Sequence, residues 1–150
     1  MGDVSKGVEA GFVATIVISL LMLIQQAAGV APTFNLITLI TAATNMPDYV
    51  AISWIVHFVV GVGLWGVGFA AFSPHLPGPH WLRGLIFGAF AWFLMMVIFL
   101  PAAGMPVFAN GLGTTIPVIS LMLHLVYGAV IGESYHLLLH YLPSEVDENA

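Results

Sequence analysis

Cysteine is absent from the chain, and the basic residues are only two, Lys6 and Arg83. Without cysteine there is no disulfide framework, no thiolate nucleophile and no thiolate-held zinc or iron–sulfur cluster. Two cations cannot neutralise a phosphate backbone, so nucleic acid is excluded as a partner. Charge of either sign is scarce: 6% of the 150 residues are charged, against roughly a quarter in a soluble domain. Those charges crowd the ends, with Asp3, Lys6 and Glu9 at one and Glu145, Asp147 and Glu148 at the other. Between Ala10 and Ser144 only Asp48, Arg83 and Glu133 carry charge. A soluble domain of this size exposes much of its area, and these polar groups cannot cover it. The chain therefore reads as an integral membrane protein, and its first partner is the lipid bilayer. Ser–His–Asp sets, Gly-rich phosphate loops and zinc-protease helices are also missing.

What is present is long apolar runs. A bilayer core of about 30 Å takes about 20 apolar residues as a helix. Four runs qualify, at about 8–30, 49–72, 81–100 and 117–141, followed by an acidic tail at 143–150. They are continuous and do not alternate with period two, which predicts helices and not a barrel. Breakers separate them: Pro32 and Pro47, the Ser73 to Pro79 stretch, then Pro101, Pro106 and Gly111-Leu112-Gly113. The expected fold is all-α, a single polytopic domain of four transmembrane helices. Lys6 and Arg83 fall on one side, so the positive-inside rule puts both termini in the cytoplasm. The apolar piece from Phe34 to Ile40 in the first outward connection is expected as a short helix along the interface.

The chain reads as if written twice. The stretch from Gly11 to Met22, with Ala27-Ala28-Gly29 later, recurs as Gly84 to Met95 with Ala102-Ala103-Gly104 later. The stretch from Ile55 to Gly63 recurs as Met122 to Gly132, and each copy holds a His-x-x-x-Gly element, at His57 and His124. Two spans per copy make a parallel repeat of two tandem helical hairpins. Small residues recur every fourth position: Gly7, Gly11, Thr15 and Ser19, then Gly84 and Gly88, then Gly128 and Gly132. That spacing lets helix backbones approach closely in lipid. It predicts packing stripes within the chain, with self-association as the alternative. The four tryptophans read as interfacial anchors.

Ionisable groups inside a bilayer are costly and mark candidate sites. His57 and His124 lie at matching depths, roughly 11–12 Å below the outer end. Gln25 and Gln26 come to a similar level, with Asn45 and Asp48 above. Three readings stay open for this cluster. One is a hydrogen-bonded network that fixes helix register. Another is a pocket for a small ligand or quinone headgroup. The third is haem b ligated by both histidines, opposed by the lack of a cation for its propionates. On the fourth span Glu133, His136 and His140 project within roughly 60° of one another. With His75 or His80 they could hold one divalent metal. Alternatively, Glu133 reaches water or pairs with Arg83, and the histidines snorkel to the interface.

These motifs resemble a group of known sequences. The carriers are Gly11-Phe-Val-Ala-Thr-x-x-x-Ser-Leu-x-Met, His57-x-x-x-Gly, Leu82-Arg-Gly-x-x-x-Gly and His124-Leu-x-Tyr-Gly-x-x-x-Gly-x-x-Tyr135. Together they are similar to small bacterial inner-membrane proteins of unknown function, YagU-like in general character. The resemblance implies a four-helix inner-membrane protein and supplies no activity. With almost no chain outside the membrane, the expected role is a non-catalytic subunit or accessory protein of a larger membrane assembly. The alternatives are a haem- or ligand-binding bundle and a small oligomeric transporter.

Overall fold

A computed structural model describes residues 2–30, 35–44 and 49–141. Five helices carry the fold: α1 Val4–Ala27, α2 Leu36–Thr44, α3 Val50–His75, α4 His80–Ala102 and α5 Thr115–Tyr141. All but α2 are long and apolar enough to cross a membrane. No strand occurs among the described residues. The protein is an all-α integral membrane protein, as the composition requires. Asn45, Asp48 and the acidic tail at 143–150 lie outside the described residues.

The first span begins earlier than the apolar run suggested. Asp3 caps α1 by accepting the Lys6 backbone N–H at 3.1 Å. That hydrogen bond, with a second from Ser5, holds the Asp3 carboxyl below its ordinary range against the desolvation that raises it. Lys6 and Glu9 therefore lie inside the helix, 3.8 Å apart, with Lys6 buried and Glu9 exposed. An N-cap side chain replaces a missing helical acceptor, so the cap and not the last charge sets the boundary. Helix α1 ends where Gly29 turns left-handed at φ 65°.

Two spans contain π-helical segments. In α4 the segment Met95–Phe99 ends two residues before Pro101. Proline has no N–H to return to the carbonyl four residues back, and a wider turn absorbs the mismatch. In α3 the segment Val59–Trp65 contains Gly61 and Gly63 and abuts Gly66.

Helix α1 packs against both α3 and α5, and α4 packs against α5. The first seam is built from Gly7 and Gly11 on α1 facing Gly66 on α3. The second is built from Gly84 and Gly88 on α4 facing Gly128 and Gly132 on α5. A methyl group added at Gly84, Gly88, Gly128 or Gly132 would run into the backbone of the facing helix. The small-residue stripes are thus used inside the chain, and van der Waals contact between backbones holds the helices together. Helices α3 and α4 instead meet through large rings: Phe87 lies edge-on to Trp65 at 5.7 Å and to Phe69 at 5.4 Å. Phe69 and Phe87 share a buried core with Ala10, Ala14, Tyr127 and Ile131. Helix α2 packs Ile37 and Ile40 against Met22 and Trp54 at the end of the bundle opposite Val4 and Tyr141.

Gly128→Leu is expected to destabilise the protein by ~1–3 kcal/mol, the usual cost of overpacking. Gly63→Ala, where an added methyl meets nothing within 4 Å, is expected to leave stability unchanged. Thermal unfolding in a mild detergent compares the two. Equal melting temperatures would show that the second seam is not close-packed.

Candidate functional site

The polar side chains inside the spans form small groups, each fixed by helix geometry. Ser19 on α1 and His57 on α3 are buried and 3.1 Å apart, Oγ to Nε2. The Ser19 hydroxyl donates its proton to the Thr15 carbonyl at 2.6 Å. It can then only accept from His57, so His57 carries its proton on Nε2. Trp54 and Phe58 meet the His57 ring edge-on, each at 5.8 Å.

His124 has different partners. Its Nδ1 lies 2.8 Å from the Ser120 carbonyl, one turn back on α5. A carbonyl only accepts, so this ring carries its proton on Nδ1. Ser120 is a junction: its hydroxyl donates to the Ile116 carbonyl at 2.7 Å and accepts from Trp92 Nε1 at 3.1 Å. Trp92 also donates to the Pro117 carbonyl at 3.1 Å, which ties α4 to the start of α5. No hydrogen bond or ring contact joins His57 to His124. Ligating a haem through Nε2 of both rings would break the Ser19 bond of one and leave the other undisturbed.

A third group crosses three helices in the core. The Tyr127 hydroxyl of α5 donates to the Gly61 carbonyl of α3 at 2.6 Å. Thr15 of α1 fills the space where Gly61 lacks a side chain, and donates to the Gly11 carbonyl at 2.7 Å. Gly61 belongs to the π-helical segment. Such segments loosen the regular carbonyl ladder, and here an outside hydroxyl takes up one carbonyl.

Gln25 and Gln26 line a cleft with Trp54, whose ring meets that of His57. A cleft at the end of the bundle opposite Val4 and Tyr141 is lined by Gln25, Gln26, Asn35 and Trp54 over Met22 and Leu36. Gln25 Nε2 donates to the Val30 carbonyl at 2.9 Å. Asn35 Oδ1 accepts the Thr38 N–H at 3.1 Å and so starts α2. Below the cleft Thr41 and Ser53 share a hydrogen bond of 2.7 Å between α2 and α3.

The Glu133, His136 and His140 set is only partly assembled. The His136 and His140 rings lie 4.2 Å apart, and His80 stacks on His136 at 5.0 Å. His140 Nδ1 lies 3.0 Å from the His136 carbonyl, and His136 Nδ1 is buried without a partner among the described residues. Glu133 is exposed. Among the described residues no three His, Asp or Glu side chains converge as a metal would require. His80, and not His75, is the histidine from the Pro-rich turn that reaches this group. Arg83 does not pair with Glu133. Its Nε donates to the Gly78 carbonyl at 2.7 Å and holds the turn before α4. Among the described residues the only ion pair is Lys6 with Glu9.

Ser53, Ser120, Trp54 and Tyr127 were not singled out from the sequence as site residues. The signal for the serines was there: each stands four residues before a histidine, as Ser-x-x-x-His-x-x-x-Gly, on one helix face.

The chain matches the family described as "Family of unknown function (DUF6789)" over residues 1–145, and it belongs to that family. No curated protein and no solved structure matches it.

Tyr127→Phe removes one buried interhelical hydrogen bond and is expected to cost ~1 kcal/mol. Detergent-unfolding curves of the variant and the parent chain measure the difference. An unchanged midpoint would mean that the Gly61 carbonyl finds an equivalent donor without Tyr127.

Proposed function

We propose that this DUF6789 member is a non-catalytic subunit or accessory protein of a larger membrane assembly. One observation carries the reading. Several intramembrane polar side chains make ties between the chain's own helices: Ser19 to His57, Tyr127 to Gly61, Trp92 to Ser120 and Thr41 to Ser53. Catalysis needs polar groups aimed at a reacting molecule, and these are aimed at one another. Outward the helices offer Phe12, Leu20, Ile55, Leu64, Phe90 and Ile98, all exposed. Such a surface suits lipid and other membrane helices, including copies of this chain. The two glycine seams support the tandem-hairpin repeat, because each pairs a first-helix stripe with a second-helix stripe of the same half. Lys6 and Arg83 support cytoplasmic termini in a bacterial inner membrane.

A second reading is favoured by the cleft lined by Gln25, Gln26, Asn35 and Trp54. Two kinds of polar group, amide and indole, converge there beside the buried His57. That arrangement suits a ligand of about water size, since the cleft has room of about 20 Å³.

Mild-detergent extraction followed by native electrophoresis tests the subunit reading. The protein is expected to migrate with larger membrane proteins; migration alone, at the mass of one chain, would refute it. Cysteines placed at Ser5 and Thr114 test the orientation. Thr114→Cys should react with an impermeant reagent from outside the cell, and labelling of Ser5→Cys there instead would reverse the topology.

A further inference from the structure

We propose that the groove between α1 and α5, at the end of the bundle that bears Val4 and Tyr141, holds a phospholipid with an ethanolamine headgroup from that leaflet. The inference goes beyond the subunit reading and does not depend on it.

Size and depth are the first argument. The groove has room of about 660 Å³, within the roughly 300–1,000 Å³ of small-molecule sites. Phe12, Val13, Val62 and Leu137 give it an apolar wall, and Phe12, Val13 and Leu137 are exposed. Helix α1 lines it from Val8 to Val13, four to nine residues past Val4. Helix α5 lines it from Ser134 to Leu138, seven to three residues before Tyr141. At 1.5 Å per residue, these positions on α1 and α5 lie within about 14 Å of the helix ends. One leaflet of a hydrocarbon core about 30 Å thick is about 15 Å deep. The groove thus has the depth of one lipid tail, whereas a crossing helix would use it for less than two of its turns.

Charge is the second argument. Glu9 and Ser134 are the polar side chains of the lining. The Glu9 side chain is 48% exposed, whereas Lys6, its partner at 3.8 Å, is buried. The groove therefore shows the bilayer a carboxylate. Asp3 lies at the same end, and the tail adds Glu145, Asp147 and Glu148, so acids outnumber Lys6 and Arg83 there. An anionic headgroup is repelled by this charge, and the tail itself brings the wrong sign to Glu9. A primary ammonium is attracted, and its N–H groups donate to the carboxylate in a charge-assisted hydrogen bond. A quaternary ammonium has no N–H to give.

The test is native mass spectrometry of the full chain in mild detergent, titrated separately with the dioleoyl forms of phosphatidylethanolamine, phosphatidylcholine and phosphatidylglycerol. The parent chain is expected to hold one ethanolamine lipid about tenfold more tightly than either of the others, roughly one charge-assisted hydrogen bond's worth. Glu9→Gln should erase that preference. Leu137→Trp, which narrows the groove, should weaken the binding of all three lipids. Both positions are exposed and lie outside the glycine seams, so the variants keep the fold, and each decides by itself if the other unfolds. No bound lipid, equal binding of the three, a preference that survives Glu9→Gln or full binding by Leu137→Trp would overturn the proposal. A two-chain species that persists without lipid and is lost in Leu137→Trp would put a second copy in the groove, and would overturn it as well.

Discussion

Two helix backbones touch only where side chains are missing from both, and this constraint organises the protein. Within lipid no hydrophobic force drives helices together, because the surroundings are as apolar as the side chains. Attraction must come from close contact. Gly84, Gly88, Gly128 and Gly132 supply it for one helix pair, and Gly7, Gly11 and Gly66 for the other. Two of the polar contacts in the interior follow from those seams. His57 meets Ser19 because α1 and α3 are pressed together, and Trp92 reaches Ser120 because α4 and α5 are.

Close backbones also permit irregular helix. The π-helical segment Val59–Trp65 in α3 sits beside α1 with Gly61 at its buried point. Thr15 and Tyr127 close around it, so a weakness in one helix becomes a junction of three. In a membrane a loosened carbonyl must find a donor within the protein, and Tyr127 is that donor. The second π segment, before Pro101, is set by the proline's missing N–H. Neither segment contains an ionisable side chain.

The sequence made the architecture legible because its signals there are physical necessities. Three charges between Ala10 and Ser144 force a membrane reading, and four long apolar runs force four helices. Helix α1 starts ahead of the apolar run, because the cap at Asp3 draws Lys6 and Glu9 into the helix. The site was less legible. Equal depth puts His57 and His124 in one polar cluster, but depth says nothing of azimuth. Their azimuths are fixed by different neighbours, Ser19 for one and Ser120 for the other. Helical periodicity put Glu133, His136 and His140 on one side of α5. It could not show that His80 would stack there while Glu133 turned outward.

The central claim is that specific hydrogen bonds hold the intramembrane histidines, His57 across to α1 and His124 within α5. Nitrogen-15 NMR of the imidazoles in the purified chain reads this directly. His57 is expected neutral with its proton on Nε2, and His124 neutral with its proton on Nδ1, the two tautomers being opposite. Identical tautomers, a cationic ring at neutral pH, or averaging between tautomers at either residue would contradict the claim.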